Sequence, residues 1–150
     1  SKREKNFIAG LSMGGGGAMY IGLKQPENYS HIGMFSTGGA IPLESLWRSD
    51  NPNDRLCEDI YGTADVDSLK GGAYDLFALA KKAMESGKPL PAIYHTMGTE
   101  DPRYPAAMAV KSYFESLPGN PFHYEYHESR GSHEWAFWDK WIQEFLISLR

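Results

Sequence analysis

Short apolar runs alternate along this chain with longer stretches whose apolar residues recur every three or four positions. Asn6-Phe7-Ile8-Ala9-Gly10 reads as a buried strand, and residues from about Met13 to Lys24 as a helix stopped near Pro26. His31 to Ser36 reads as a second strand, closed by Gly38-Gly39. Asp75 to Ser86 predicts a helix ending at Gly87, and Pro91 to Met97 a third strand. Tyr104 to Leu117 predicts a helix stopped by Pro118-Gly119, and Phe122 to His127 a fourth strand. The last helix runs from about Glu134 to Leu149, with Trp135, Trp138, Trp141, Ile142, Phe145, Leu146 and Leu149 on one stripe expected to be buried. Residues 40–72 have weak periodicity and many turn formers. A segment that long without regular structure is expected to be a lid or pocket wall, or a packed surface loop. Strands alternating with helices predict an α/β fold: a mostly parallel sheet with helices on both faces.

In such sheets, reactive groups sit on loops at the carboxyl ends of strands. The first of these loops is Gly10-Leu11-Ser12-Met13-Gly14, a G-x-S-x-G pattern between a predicted strand and a predicted helix. A serine nucleophile must stand at the tip of a sharp turn. Glycines two residues before and after it keep side chains out of the way as strand and helix converge. Ser12 then lies at a helix N-terminus, where free N–H groups favour negative charge. The Met13 N–H is the expected oxyanion donor. Gly14 to Gly17 place four glycines in the first helical turns, each costing about 1 kcal/mol against alanine. Such a run implies close packing on the neighbouring strand or room for a substrate. A phosphate-binding loop does not fit, because no Gly-Lys-Ser/Thr follows.

A serine needs a base, and the base an orienting carboxylate, in the chain order Ser, Asp or Glu, His. Asp101 follows the third strand within Gly98-Thr99-Glu100-Asp101-Pro102, and His133 ends the loop after the fourth strand. A capping or turn role for Asp101 and a surface role for His133 are the plain alternatives. His123 and His127 are about 13 Å apart along a strand, too far for one zinc ion. His133-Glu134 begins like a zinc motif but position 137 is Phe, and Asp50 to Asp54 lacks the glycine of a calcium loop. No metal site is therefore expected.

Composition is that of an ordinary globular domain, with 23% charged residues. A formal charge of −4 gives no electrostatic reason to expect nucleic acid or an anionic membrane as partner. One cysteine, Cys57, excludes an intrachain disulfide. The compartment stays open between cytoplasm and secretion.

Phe7 to Gly15, Gly98-Thr99-Glu100-Asp101, and Gly131-Ser132-His133-Glu134-Trp135 with Trp138 resemble the esterase D or putative-esterase family of α/β-hydrolases. Bacterial tributyrin-type and feruloyl (cinnamoyl) esterases are the nearest likeness. The resemblance implies a Ser12–His133–Asp101 triad and cofactor-free hydrolysis of short acyl or hydroxycinnamoyl esters, including cell-wall carbohydrate esters. It also suggests that Trp47, Leu46, Ile60 and Tyr61 line an acyl or aromatic pocket, and that Trp135 contacts substrate. Leu11 stands where S-formylglutathione hydrolases usually carry histidine, which lowers the thioesterase option, and Pro102-Arg103-Tyr104 replaces a more apolar stretch. Acyltransfer is a further option.

Family members carry further strands and a second oxyanion loop before the nucleophile strand. The chain is therefore expected to be the C-terminal half of an α/β-hydrolase fold, with the 6–10 strand exposed as an edge. That edge would favour self-association or pairing with an N-terminal half. The rival class is a non-catalytic hydrolase-like fragment or carbohydrate-binding domain.

Overall fold

The structure is a computed structural model that describes residues 2–44 and 54–150. Four strands form one sheet in the order β1-β2-β3-β4: β1 (Phe7–Leu11), β2 (His31–Phe35), β3 (Ala92–Gly98) and β4 (Glu125–Ser129). All three pairings are parallel, with Gly10 opposite Met34, Phe35 opposite Thr96, and Thr96 opposite His127. The carboxyl ends of the strands therefore line up at one edge of the molecule. β1 lies at the side of the sheet, and among the described residues only β2 pairs with it. Its first residue, Phe7, is half exposed.

Among the described residues five α-helices accompany the sheet: α1 (Met13–Lys24), α2 (Asp54–Tyr61), α3 (Leu76–Glu85), α4 (Tyr104–Glu115) and α5 (Trp135–Ser148). Side chains of α1, α3 and α4 pack on one face, where Met19, Leu23, Leu76, Val110 and Phe114 meet Ile32, Met34 and Ile93. α5 covers the other face, where Phe137, Trp138, Trp141 and Phe145 meet Phe35 and Tyr94. Alternation along each strand produces this split, because successive residues point to opposite faces. Asp75 starts α3 as its N-cap, accepting from the N–H groups of Phe77 and Ala78 at 2.8 and 3.3 Å. The fold is the expected α/β arrangement, with a parallel sheet and helices on both faces.

The details depart from the sequence reading in three places. The fourth strand starts at Glu125, not Phe122. Asn120 and His123 take left-handed conformations (φ 45° and 44°), and the Asn120 Oδ1 accepts the Tyr124 N–H at 2.7 Å. That turn holds Phe122 to a single bond, its carbonyl accepting the Ile93 N–H at 3.0 Å, before regular pairing begins. The segment expected to be irregular over 40–72 contains α2 and a 3₁₀ turn at Val66–Leu69. Its short helix was hidden by the surrounding turn formers. The stripe on α5 is shifted: Phe137 is buried, whereas Trp135 and Leu146 are exposed. Trp135 is the first residue of the helix, where no preceding turn packs against it, so helical periodicity says nothing about what covers it.

Candidate active site

The turn after β1 has the geometry its glycines require. Ser12 sits at φ 54°, ψ −125°, a strained conformation for a residue with a side chain. Its N–H donates to the Phe35 carbonyl at 2.8 Å, anchoring the turn to the end of β2. A Cβ on Gly10 would collide with the Gly14 carbonyl, so strand and helix meet backbone to backbone there. The second tight position is Gly15 rather than Gly14. A Cβ on Gly15 would strike the Thr37 hydroxyl and stand 3.0 Å from the Gly10 carbonyl, whereas Gly14 faces open space. Gly16 approaches Pro42, with 2.9 Å to its Cβ, and Gly17 is again open. Two of the four glycines thus serve close packing, and two leave room.

Ser12 is also the N-cap of α1, yet its side chain makes no capping bond. Its Oγ lies 2.8 Å from the His133 Nε2 instead. The His133 Nδ1 is 2.8 Å from the Asp101 Oδ2, and the Asp101 carboxylate is fully buried. An ionised carboxylate only accepts, so the Nδ1 carries the proton and the Nε2 is left to accept from Ser12. The other Asp101 oxygen accepts the Arg103 N–H at 2.8 Å and has the Arg103 guanidinium at 3.9 Å. Both carboxylate oxygens are therefore partnered. The structure brings Ser12, His133 and Asp101 together from the ends of β1, β4 and β3. Glu100 turns outward and pairs with Arg130 at 2.8 Å on the surface.

Two neighbours support the imidazole and the serine without having been singled out as site residues from sequence. Trp138 meets the His133 ring edge to face, with centroids 5.0 Å apart, and donates its indole N–H to the Ser36 Oγ at 2.9 Å. Thr37 donates its hydroxyl to the Ser12 carbonyl. No spacing rule points to Ser36 or Thr37, since Ser36 meets a helix 102 residues further on and Thr37 reaches the end of the adjacent strand β1.

Met13 is the first residue of α1, where no preceding helical carbonyl is available to its N–H. A small recess lined by Ser12, Met13, Ser36, Thr37, Gly38 and Arg103 opens over Pro42 and Leu43. From there a cavity of about 200 Å³ continues between Gly17, Tyr20, Ile60, Tyr61 and Tyr74. Tyr61 and Tyr74 pack edge to face at 5.0 Å, and Tyr20 and Tyr74 are stacked at 5.9 Å. Burial pushes the Tyr61 hydroxyl up to about 12, so it stays a donor, and it bonds the Pro42 carbonyl at 2.7 Å. Of the residues expected to line an acyl or aromatic pocket, Ile60 and Tyr61 line this cavity, and Leu46 and Trp47 lie outside the described residues. Trp135 stands elsewhere, beside a cavity of about 300 Å³ with Leu11, Phe35 and Trp138. Among the described residues no cluster of three or more His, Cys, Asp or Glu side chains is arranged to hold a metal ion.

Residues 1–149 match the family described as putative esterase. An acetyl esterase of Caldicellulosiruptor saccharolyticus is 31% identical over 147 residues, which cover 94% of this chain and 53% of that protein. The S-formylglutathione hydrolase FrmB of Staphylococcus aureus superposes with a TM-score of 0.76 at 27% identity, over 99% of this chain and 55% of that one. A ferulic acid esterase shares the fold, with a TM-score of 0.68 at 19% identity over 99% of this chain and 52% of its own. The chain spans about half the length of these relatives.

Proposed function

Since the chain belongs to the putative esterase family, we propose that it supplies the nucleophile, base and acid of a serine carboxylic ester hydrolase. The observation that carries this reading is the unbroken relay from the Ser12 Oγ through His133 to the buried Asp101, with 2.8 Å at each step. In the first half-reaction His133 takes the Ser12 proton as the oxygen attacks the ester carbonyl. Asp101 orients the ring and stabilises its charged form. The Met13 N–H stabilises the oxyanion. His133 then protonates the departing alcohol, and water, deprotonated by the same ring, releases the acid.

The substrate reading is a short acyl or hydroxycinnamoyl ester. The acetyl esterase relative supports the first. The second is supported by the tyrosine-walled cavity that begins at Met13, beside the recess at Ser12, and whose flat rings suit an aromatic acyl group. Trp135, beside Leu11, is the proposed contact for the group across the scissile bond. Thioester hydrolysis by the same residues is a second reading, favoured by the likeness to the S-formylglutathione hydrolase. The side of β1 on which no described strand pairs, with Phe7 half exposed, supports completion of the sheet by a further strand, from a second copy or the rest of a longer protein.

Intact-mass measurement after treatment with a fluorophosphonate tests the central claim. One adduct on the wild type and none on Ser12→Ala is the expected result. Hydrolysis of p-nitrophenyl acetate, methyl ferulate and S-formylglutathione by the same material then ranks the substrates. Absence of an adduct on a folded full-length protein would overturn the esterase reading in favour of a binding domain.

A further inference from the structure

The α1 face of the sheet holds one buried histidine that the triad does not use. His95 lies on β3, fully buried, with its Nε2 3.1 Å from the Thr37 carbonyl and its Nδ1 2.7 Å from the Tyr124 hydroxyl. A carbonyl only accepts, so the Nε2 carries the proton and the neutral ring's Nδ1 accepts from Tyr124. Burial holds the ring neutral, pushing its pKa down to about 4. The direction of every bond is thereby set: Tyr124 donates to His95, and His95 donates to the carbonyl of Thr37.

Thr37 passes the constraint on. Its hydroxyl donates to the Ser12 carbonyl, which also accepts the Gly15 N–H at 3.0 Å. The Ser12 carbonyl and the Met13 N–H are two ends of one peptide unit. That unit is planar and trans, so the two bonds point in opposite directions. Whatever fixes the carbonyl also aims the N–H. Gly15 is part of the device, since any side chain there would displace the Thr37 hydroxyl.

We propose that His95 and Thr37 are positioning residues that aim the Met13 N–H at the oxyanion by clamping the Ser12–Met13 peptide from behind. This inference rests on the esterase reading, in which that N–H is an oxyanion donor. The plain alternative is a core histidine whose hydrogen bonds stabilise the fold and nothing more. The two differ in what they do to the transition state. A misaimed donor lowers kcat and leaves KM nearly unchanged, because the donor acts on charge that develops only during reaction.

The test compares Thr37→Val, Thr37→Ser, His95→Met and His95→Gln with wild type in the full-length protein. Valine keeps the shape and loses the hydroxyl, and serine restores it. Glutamine keeps an N–H for the Thr37 carbonyl, and methionine does not. The readouts are kcat and KM on p-nitrophenyl acetate, affinity for a trifluoromethyl ketone that forms a tetrahedral adduct, and thermal unfolding. Loss of a whole oxyanion donor costs about 10²–10³ in kcat. A misaimed one is expected to cost about tenfold or more, with ketone affinity falling in parallel. Thr37→Ser and His95→Gln should recover most of the loss. Unchanged kcat in folded Thr37→Val, or a fall in kcat without loss of ketone affinity, overturns the proposal. If Thr37→Val does not fold, His95→Gln against His95→Met decides in the same way. A wild type that is folded but takes no fluorophosphonate overturns the esterase reading itself, which separates that failure from this one.

Discussion

Trp138 holds His133 from below: the rings meet at 89°, and the indole N–H is tied to the Ser36 Oγ at 2.9 Å. Ser36, like Ser12, has a left-handed backbone (φ 51°) at the end of its strand. The imidazole is thus braced, through the indole, against the end of β2. Trp138→Phe keeps a ring under His133 but leaves the buried Ser36 hydroxyl without its donor, at a cost of about 1–3 kcal/mol. Trp138→Ala should cost about 3–5 kcal/mol and lower kcat further, because the ring is almost wholly buried. Urea unfolding and kcat, measured together, check both.

Asp101 and Glu100 are adjacent carboxylates with opposite fates. Asp101→Asn is expected to lower kcat about 10⁴-fold, since an amide in contact with the His133 Nδ1 favours the wrong tautomer. Glu100→Gln breaks only an exposed pair with Arg130, worth at most about 1 kcal/mol, and should leave kcat within twofold. Equal losses in the two variants would contradict the assignment of the acid.

Glycine at 15 and at 17 should respond to alanine with opposite signs. Gly15→Ala forces the Thr37 hydroxyl away and is expected to destabilise. Gly17→Ala meets nothing and should stabilise α1 by about 0.5–1 kcal/mol. The new methyl narrows the cavity beside Tyr20 and Tyr61. Turnover of methyl ferulate should therefore fall while that of p-nitrophenyl acetate holds. A scan of both esters against melting temperature decides it.

Stability should depend on pH through His95. Its folded pKa, about 4, lies below the ordinary value of 6.5, so the unfolded chain binds the proton more readily. The protein loses stability as pH falls from about 6.5 towards 4, by roughly 3 kcal/mol. The dependence flattens below that range and above it. His95→Gln should remove this part of the slope, which denaturant midpoints at several pH values would show.

The parts of the candidate site written in local sequence were legible: the glycine-flanked turn, a carboxylate just past β3, and an imidazole between β4 and α5 that meets both. Each depends on residues within a few positions of a strand end. What spacing does not reveal is set across the sheet. Thr37 reaches Ser12 from the next strand end, and His95 reaches Thr37 from the middle of β3. A strand histidine in sequence looks like any core position. The shift of β4 has a similar origin, since Phe122 is apolar enough for a strand but the Asn120 side chain closes a turn around it. Trp135 illustrates the limit of periodicity: an apolar residue at a helix start belongs to the stripe in spacing and not in space.

The sheet order β1-β2-β3-β4 follows the chain, and the serine and its base lie 121 residues apart. A ribosome adding about 5–20 residues per second takes on the order of ten seconds to travel from one to the other. Each strand can dock on the one before it as it emerges, yet Ser12 lacks its His133 partner until the loop after β4 is made. The stretch between them is therefore made while the Ser12 hydroxyl has no imidazole beside it, and the contact is completed only when the loop between β4 and α5 folds back over the sheet end.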